Sequence, residues 1–247
     1  MKRVTLIALC LIASIASGQS QRAYIDALLG QPVASGEAAP TAQGNLVGWW
    51  RFSATDTGAS VADASGNGNA MTQSTSSAQP TVASGYGSFD GGDYLSIAST
   101  TLLDGGAGYT VTAWVNVTTW VNYAGVIWMR GTHVYGFTTD SSTTKKAYAG
   151  RGTTTLISTN TIGTGWVFVA AGATKTSSGN TSFVRIGNGA TTGTSAFDPM
   201  FVNDAWRIGW DDGSAVYKFN GLIDDVRIYN KQLSSTELNA VMAEGRR

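Results

Sequence analysis

From Leu46 onward the chain is a succession of short runs rich in β-branched and aromatic residues, separated by clusters of Gly, Asn, Asp and Ser. The runs are LVGWWRFSA, DYLSIA, YTVTAWVNV, AGVIWMR, VYGFTTD, KAYAGR, TLISTN, WVFVAAGAT, TSFVRIG, AWRIGWD and FNGLIDDVRIYN. Their length, alternation and spacing predict an all-β domain, a two-sheet antiparallel sandwich. One segment departs from this texture. In LSSTEL, Ser234 suits an N-cap, Glu237 the reciprocal N3 position, and Leu233 with Leu238 a hydrophobic staple, so a short C-terminal helix starts there. Its Leu238, Val241 and Met242 share one side and dock it on the sandwich.

Within FNGLIDDVRIYN, strict alternation puts Leu222, Asp224, Val226 and Ile228 on one face and Ile223, Asp225, Arg227 and Tyr229 on the other. Asp224 then sits in the apolar row. An unpaired carboxylate there costs on the order of several kcal/mol, so a cation, an arginine or backbone N–H groups must satisfy it. On this reading Asp224→Ala destabilises more than Asp225→Ala.

The first residues, MKRVTLIALCLIASIASGQSQ, combine two basic residues, an apolar run from Val4 to about Ala16, and small residues before Gly18. This is the layout of a secretory signal peptide over 1–18, and the run is short for a membrane span. Cys10 is the single cysteine, so the exported domain has no disulfide. Residues 19–45 read as a short helix, QRAYIDALLGQ, followed by a small, polar linker; the sandwich occupies 46–247. Composition removes other classes. Formal net charge is zero and 13% of residues are charged, which lacks the basic footprint of a nucleic-acid binder or of a surface that holds acidic lipids.

Seven segments, LVGWWRFS, VADASGNGNA, SFDGGDYLSI, YTVTAWVNV, GWVFVAAG, WRIGWDD and GLIDDVRIYNKQLSSTEL, stand in the order and spacing of laminin G-like domains, and the chain from about Gly44 to Ala243 resembles that family of the concanavalin A-like lectin/glucanase superfamily. The resemblance is to forms common in bacterial secreted and virion proteins. It implies a jelly-roll sandwich of two curved sheets with the first and last strands adjacent. That adjacency would bring the turn after Asp63 close to Asp224. Asp63, the Gly66 carbonyl, Asn67 and Asp224 would then supply oxygens for a structural Ca²⁺, which takes six to eight oxygen ligands. The alternative is that Asp63 bonds turn N–H groups while Asp224 pairs with Arg51, Arg207 or Arg227. Asp211-Asp212 read as an exposed Asp-Gly turn, and Asp90 with Asp93 as turn chemistry before a strand.

Glucanases of the superfamily carry two carboxylates, usually glutamates, on one strand. Beyond the signal this chain has only Glu37, Glu237 and Glu244, none in a strand, and its one histidine is His133. Catalysis is therefore not expected, and recognition is. Exposed aromatic faces with polar neighbours suit sugars, and WVNVTTWVNYAGVIWMRGTHVYGF is the richest stretch: Trp120, Asn122, Tyr123, Arg130, His133 and Tyr135 are the candidates there, with Trp210 beyond it. Trp114, Trp128 and Trp166 are expected to fill the core. Two functions stay open. One is a secreted carbohydrate-binding or adhesive module at the cell surface or outside it. The other is a structural protein of a surface assembly or virion that binds protein, with the N-terminal segment as its docking arm.

Overall fold

The structure is a computed structural model that describes residues 39–246, apart from 84, 98–101, 104–105, 131–133, 140–141, 150–155, 175–179, 196–204 and 212. The chain divides between Ala39 and Pro40 into two units, and every described strand and helix belongs to the second. The expected signal segment and short helix lie outside the described residues.

One sheet comprises eight strands: β1 (Leu46–Trp50), β4 (Thr81–Ala83), β5 (Tyr86–Asp90), β7 (Gly108–Thr119), β12 (Val167–Thr174), β13 (Asn180–Ile186), β14 (Gly189–Ser195) and β16 (Asn220–Tyr229). Their order is β14-β13-β12-β7-β16-β5-β4, with β1 also paired to β16. The other sheet comprises β2 (Ser60–Val61), β3 (Met71–Thr72), β6 (Leu95–Ile97), β8 (Gly125–Arg130), β9 (Val134–Thr139), β10 (Lys146–Ala149), β11 (Leu156–Thr161) and β15 (Trp206–Ile208). It runs β11-β10-β9-β8-β15-β6-β3-β2. All pairings among the described strands are antiparallel. The expected sandwich is present, with its first and last strands joined.

Alternation builds the core. Val111, Ala113 and Val115 of β7 and Val169, Ala171 and Ala173 of β12 face inward, toward Ile127 and Met129 of β8 and Trp206 and Ile208 of β15. A second cluster covers the outer side of the first sheet: Trp49, Phe168, Phe183 and Tyr229 pack against Leu233, Leu238 and Val241. The last two belong to α1 (Ser235–Glu244), which starts on the expected capping box, Ser234 accepting from Glu237 N–H and Glu237 from Ser234 N–H. Met242 packs against the same cluster.

The strict alternation expected of β16 fails at one place. β5 pairs with Asn220–Ile223 and β1 with Val226–Tyr229, so the same edge of β16 is handed from one strand to the other across Asp224 and Asp225. On the opposite edge the pairing with β7 slips between Asp224 and Arg227, and Asp225 takes a left-handed φ of 48°. This is a bulge, and it inverts the inward parity. Ile223 faces the core before it and Val226 and Ile228 after it. Asp224 is therefore not in a row with Val226 and Ile228. It lies opposite Trp114, whose ring packs with the outer cluster. Trp114 is half-buried against the outer cluster and Trp166 half-buried beside Tyr86, so neither is a central core filler, whereas Trp128 is buried.

Candidate functional site

The carboxylates at the bulge resolve into two separate arrangements. Asp225 accepts from Arg227 through both oxygens, at 3.1 and 2.9 Å, and from the Trp49 indole N–H at 2.6 Å. Burial pushes the Asp225 carboxyl up, opposed by the Arg227 guanidinium and the Trp49 N–H. Arg227, itself wholly buried, also donates to Glu244 at 2.5 Å, and Glu244 accepts from Thr41. A chain of charged groups thus ties β1, β16 and the end of α1 together. Asp224 stands apart. One of its oxygens accepts the Asp225 N–H at 2.6 Å, and the other lies 3.7 Å from Arg246.

The turn after Asp63 is held by hydrogen bonds that do not involve Asp224. Asp63 accepts N–H groups from Trp49, Ser65 and Asn69, each at 2.9 Å. Asn67 and Asn69 donate their amides to the Leu46 and Val47 carbonyls, and the Trp50 indole donates to the Asn69 carbonyl. The loop serves as a substitute neighbour for the free edge of β1. Both Asp63 oxygens are taken by N–H groups, and the hydrogen bond of Asp224 shares none of their partners. These hydrogen bonds account for Asp63, Asn67 and Asp224 without the Ca²⁺ expected of them together with Gly66, and no group of three or more acidic, His or Cys side chains that could hold a metal occurs among the described residues. Of the arginines weighed as partners for Asp224, Arg227 pairs with Asp225, Arg207 belongs to the other sheet, and Arg51 attracts Asp224 electrostatically.

The expected recognition residues gather in part. Tyr123 occupies a turn before β8 at φ 55°. Thr139 pins that turn: its hydroxyl donates to the Val121 carbonyl at 2.6 Å and accepts the Ala124 N–H at 3.0 Å. The Tyr123 ring is 38% exposed and meets Tyr148 and Tyr217 edge-on, with centroids 5.6 and 5.4 Å away. Asn122 accepts the Ser142 N–H at 2.7 Å, which holds the Lys145 segment alongside. Lys145 lies 5.9 Å above the Trp120 ring, and Trp120 itself is half-buried against the core. Val216, beside Tyr217, is 68% exposed.

Trp210 belongs to an adjoining group. Its indole donates to the Ser214 carbonyl at 3.0 Å, its ring centroid is 4.8 Å from that of Tyr94, and Arg207 and Lys218 approach the ring at 5.4 and 5.6 Å. Tyr94 and two cations thus surround the half-buried Trp210 ring. Lys218 also donates to the Gly92 carbonyl at 2.5 Å. Asp93 accepts the Asp90 N–H, as turn chemistry predicts, and burial raises its carboxyl against the pull of that N–H and of Lys218. Asp211 is buried, not exposed as expected, and accepts the Gly213 N–H.

The two groups meet through consecutive residues, Tyr217 and Lys218. The Tyr217 carbonyl accepts N–H groups from both Gly125 and Asp211. A Cβ on Gly125 would collide with the backbone at Trp210 and Asp211, so glycine is what lets these segments close up. His133 lies outside the described residues, and of Arg130 and Tyr135 only the strand backbone in β8 and β9 is described. Sequence reasoning missed Tyr94, Tyr148, Tyr217 and Lys218. The one local sign was VYKFN, an aromatic and a cation next to the turn after Trp210.

Two antiparallel sheets packed face to face, closed by pairing of the first and last strands, define a concanavalin A-like sandwich. The laminin G domain model described as the concanavalin A-like lectin/glucanases superfamily matches residues 89–239, and the chain belongs to this family. Among solved structures it is similar to domain 4 of an extracellular GH43 arabinanase from Geobacillus stearothermophilus in complex with arabinotriose. The TM-score is 0.59 at 16% identity, covering 80% of this chain and 98% of that one. It is also similar to Trypanosoma rangeli sialidase in complex with a difluorosialic acid (TM-score 0.60, 14% identity, 84% of this chain and 34% of that one). A third is botulinum neurotoxin type C, whose cell entry depends on two ganglioside molecules (TM-score 0.56, 9% identity, 81% and 51%). Comparison with curated protein sequences yields no match.

Proposed function

We propose that the sandwich is a secreted, non-catalytic carbohydrate-recognition module, with Tyr123 as the principal sugar-contacting ring. The observation that carries this is the exposed Tyr123 side chain, held at a left-handed φ in a turn pinned by Thr139 and braced edge-on by Tyr148 and Tyr217. A non-glycine residue at positive φ is a strained choice for a surface turn, and such strain persists where the surroundings over-determine it. Tyr123 supplies an apolar face, while the exposed Asn122 amide and the Lys145 ammonium supply the polar rim that bonds hydroxyls. Asp93 and Asp211 each accept a backbone N–H, the arrangement of structural turns. Arabinotriose on the arabinanase domain and gangliosides on the neurotoxin support the ligand class. The exposed Val216 beside Tyr217 favours a second reading, adhesion to a protein partner through the same patch.

The test is a glycan array with the secreted chain, followed by calorimetry of any hit. Sugar binding weakened at least tenfold by Tyr123→Ala, with an unchanged melting temperature, is the expected result. Binding unaffected by Tyr123→Ala would move the site elsewhere. An array with no hits would favour the protein partner.

A further inference from the structure

The end of the chain makes a contact that neither the sandwich core nor the proposed sugar surface employs. Arg246 follows Gly245, the residue that ends α1 with a left-handed φ of 72°. Its guanidinium lies 4.0 Å over the Trp166 ring and 3.7 Å from an Asp224 oxygen, and its side chain is 36% exposed. That oxygen is buried and has no hydrogen-bond partner among the described residues. Among the described residues, the attachment of Arg246 is one aromatic face and one ion pair too long for a direct hydrogen bond.

The charged groups acting on Asp224 come from three places. Asp225, next in β16, repels it; Arg51, just past β1, and Arg246, past α1, attract it. Arg227 is committed to Asp225 and Glu244. Burial is the largest influence, and it raises the Asp224 carboxyl from 3.8 to about 7, with the Asp225 N–H and the two arginines pulling the other way.

We propose that Asp224 and Arg246 form an acid-released latch on the C-terminal end of the chain: when the buried carboxylate takes up a proton, the guanidinium loses its counter-charge and lifts from Trp166. Release differs in sign from acid unfolding. A carboxyl raised in the folded state binds its proton more tightly there than in the unfolded chain, so its contribution to stability grows as pH falls through about 7 toward 3.8 and is lost as pH rises. Glu237 and Glu244 are both held below their ordinary value of 4.5 and do not titrate between pH 8 and 6. In that interval the latch opens while the fold holds or gains stability.

The experiment follows the Trp166 indole N–H resonance of the ¹⁵N-labelled full chain, assigned with Trp166→Phe, from pH 8 to 6, alongside the melting temperature. The expected result is a sigmoidal shift with its midpoint near 7, absent in Asp224→Asn, with a melting temperature that stays level or rises. Should Asp224→Asn fail to fold, Arg246→Gln alters an exposed side chain and should hold the resonance near its wild-type low-pH position throughout. A resonance that does not titrate overturns the proposal. So does a shift that persists unchanged in Asp224→Asn or Arg246→Gln, or one that tracks a falling melting temperature.

Discussion

Asp224 and Asp225 are neighbours in sequence and differ in every physical respect that matters. Asp225 holds a fully buried guanidinium with two hydrogen bonds, and removing it leaves Arg227 with Glu244 as its carboxylate partner. Breaking a buried pair from one side costs about 3–5 kcal/mol. Asp224→Ala deletes a desolvated carboxyl and one hydrogen bond, a loss of about 1–2 kcal/mol. Urea unfolding of the two variants should therefore rank Asp225→Ala as the more damaging, the reverse of the order that strict alternation implies. The reversal shows what local pattern conveys here. The apolar rows of β7 and β12 follow from periodicity, because an uninterrupted strand keeps its parity. The parity change in β16 arises where β5 gives way to β1, two segments far away in sequence, and nothing within IDDVRI announces it. The aromatic site has the same character. Tyr123 and Asn122 were legible as aromatic and amide in a polar turn, whereas Tyr94, Tyr148 and Tyr217 reach the surface groups only through tertiary pairing.

Among the elements, α1 is the one most fully written in its own residues. Ser234, Glu237, Leu233 and Leu238 occupy the positions of cap, reciprocal cap and staple, and each makes the expected contact. Glu237 further accepts from Lys231 at 2.6 Å, which holds its carboxyl below the ordinary range. Ser234→Ala removes the acceptor for the Glu237 N–H and should cost about 1 kcal/mol. For a domain of this size that corresponds to a fall of roughly 2–4 °C in melting temperature, measurable by far-ultraviolet circular dichroism. Because Glu244 at the far end of the helix holds Arg227, loosening α1 also exposes the buried ion network to water. The variant should accordingly lose some of its protection against amide exchange around Trp49 and Arg227.

At the level of the whole molecule, the carboxylates near the first turn and the last strand are engaged with N–H groups and arginines, contacts that hold those strands without calling on a divalent ion. A thermal melt of the chain should be indifferent to excess EDTA and to added Ca²⁺, since only a ligand bound to the folded state raises the midpoint; a chelator-induced drop reversed by Ca²⁺ would restore the metal. The junction is made instead by β16, which pairs with β7 on one side and with β5 and β1 on the other. That placement bears on the order of events during synthesis. The strand that joins both halves of the larger sheet comes after every other described strand in the sequence, so a growing polypeptide holds β1, β5 and β7 with the gap between them unfilled until β16 has been made. Closure depends on contacts distant in sequence, which form slowly. Until β16 emerges, the larger sheet of a nascent chain stays unclosed, whatever β1, β5 and β7 have formed among themselves.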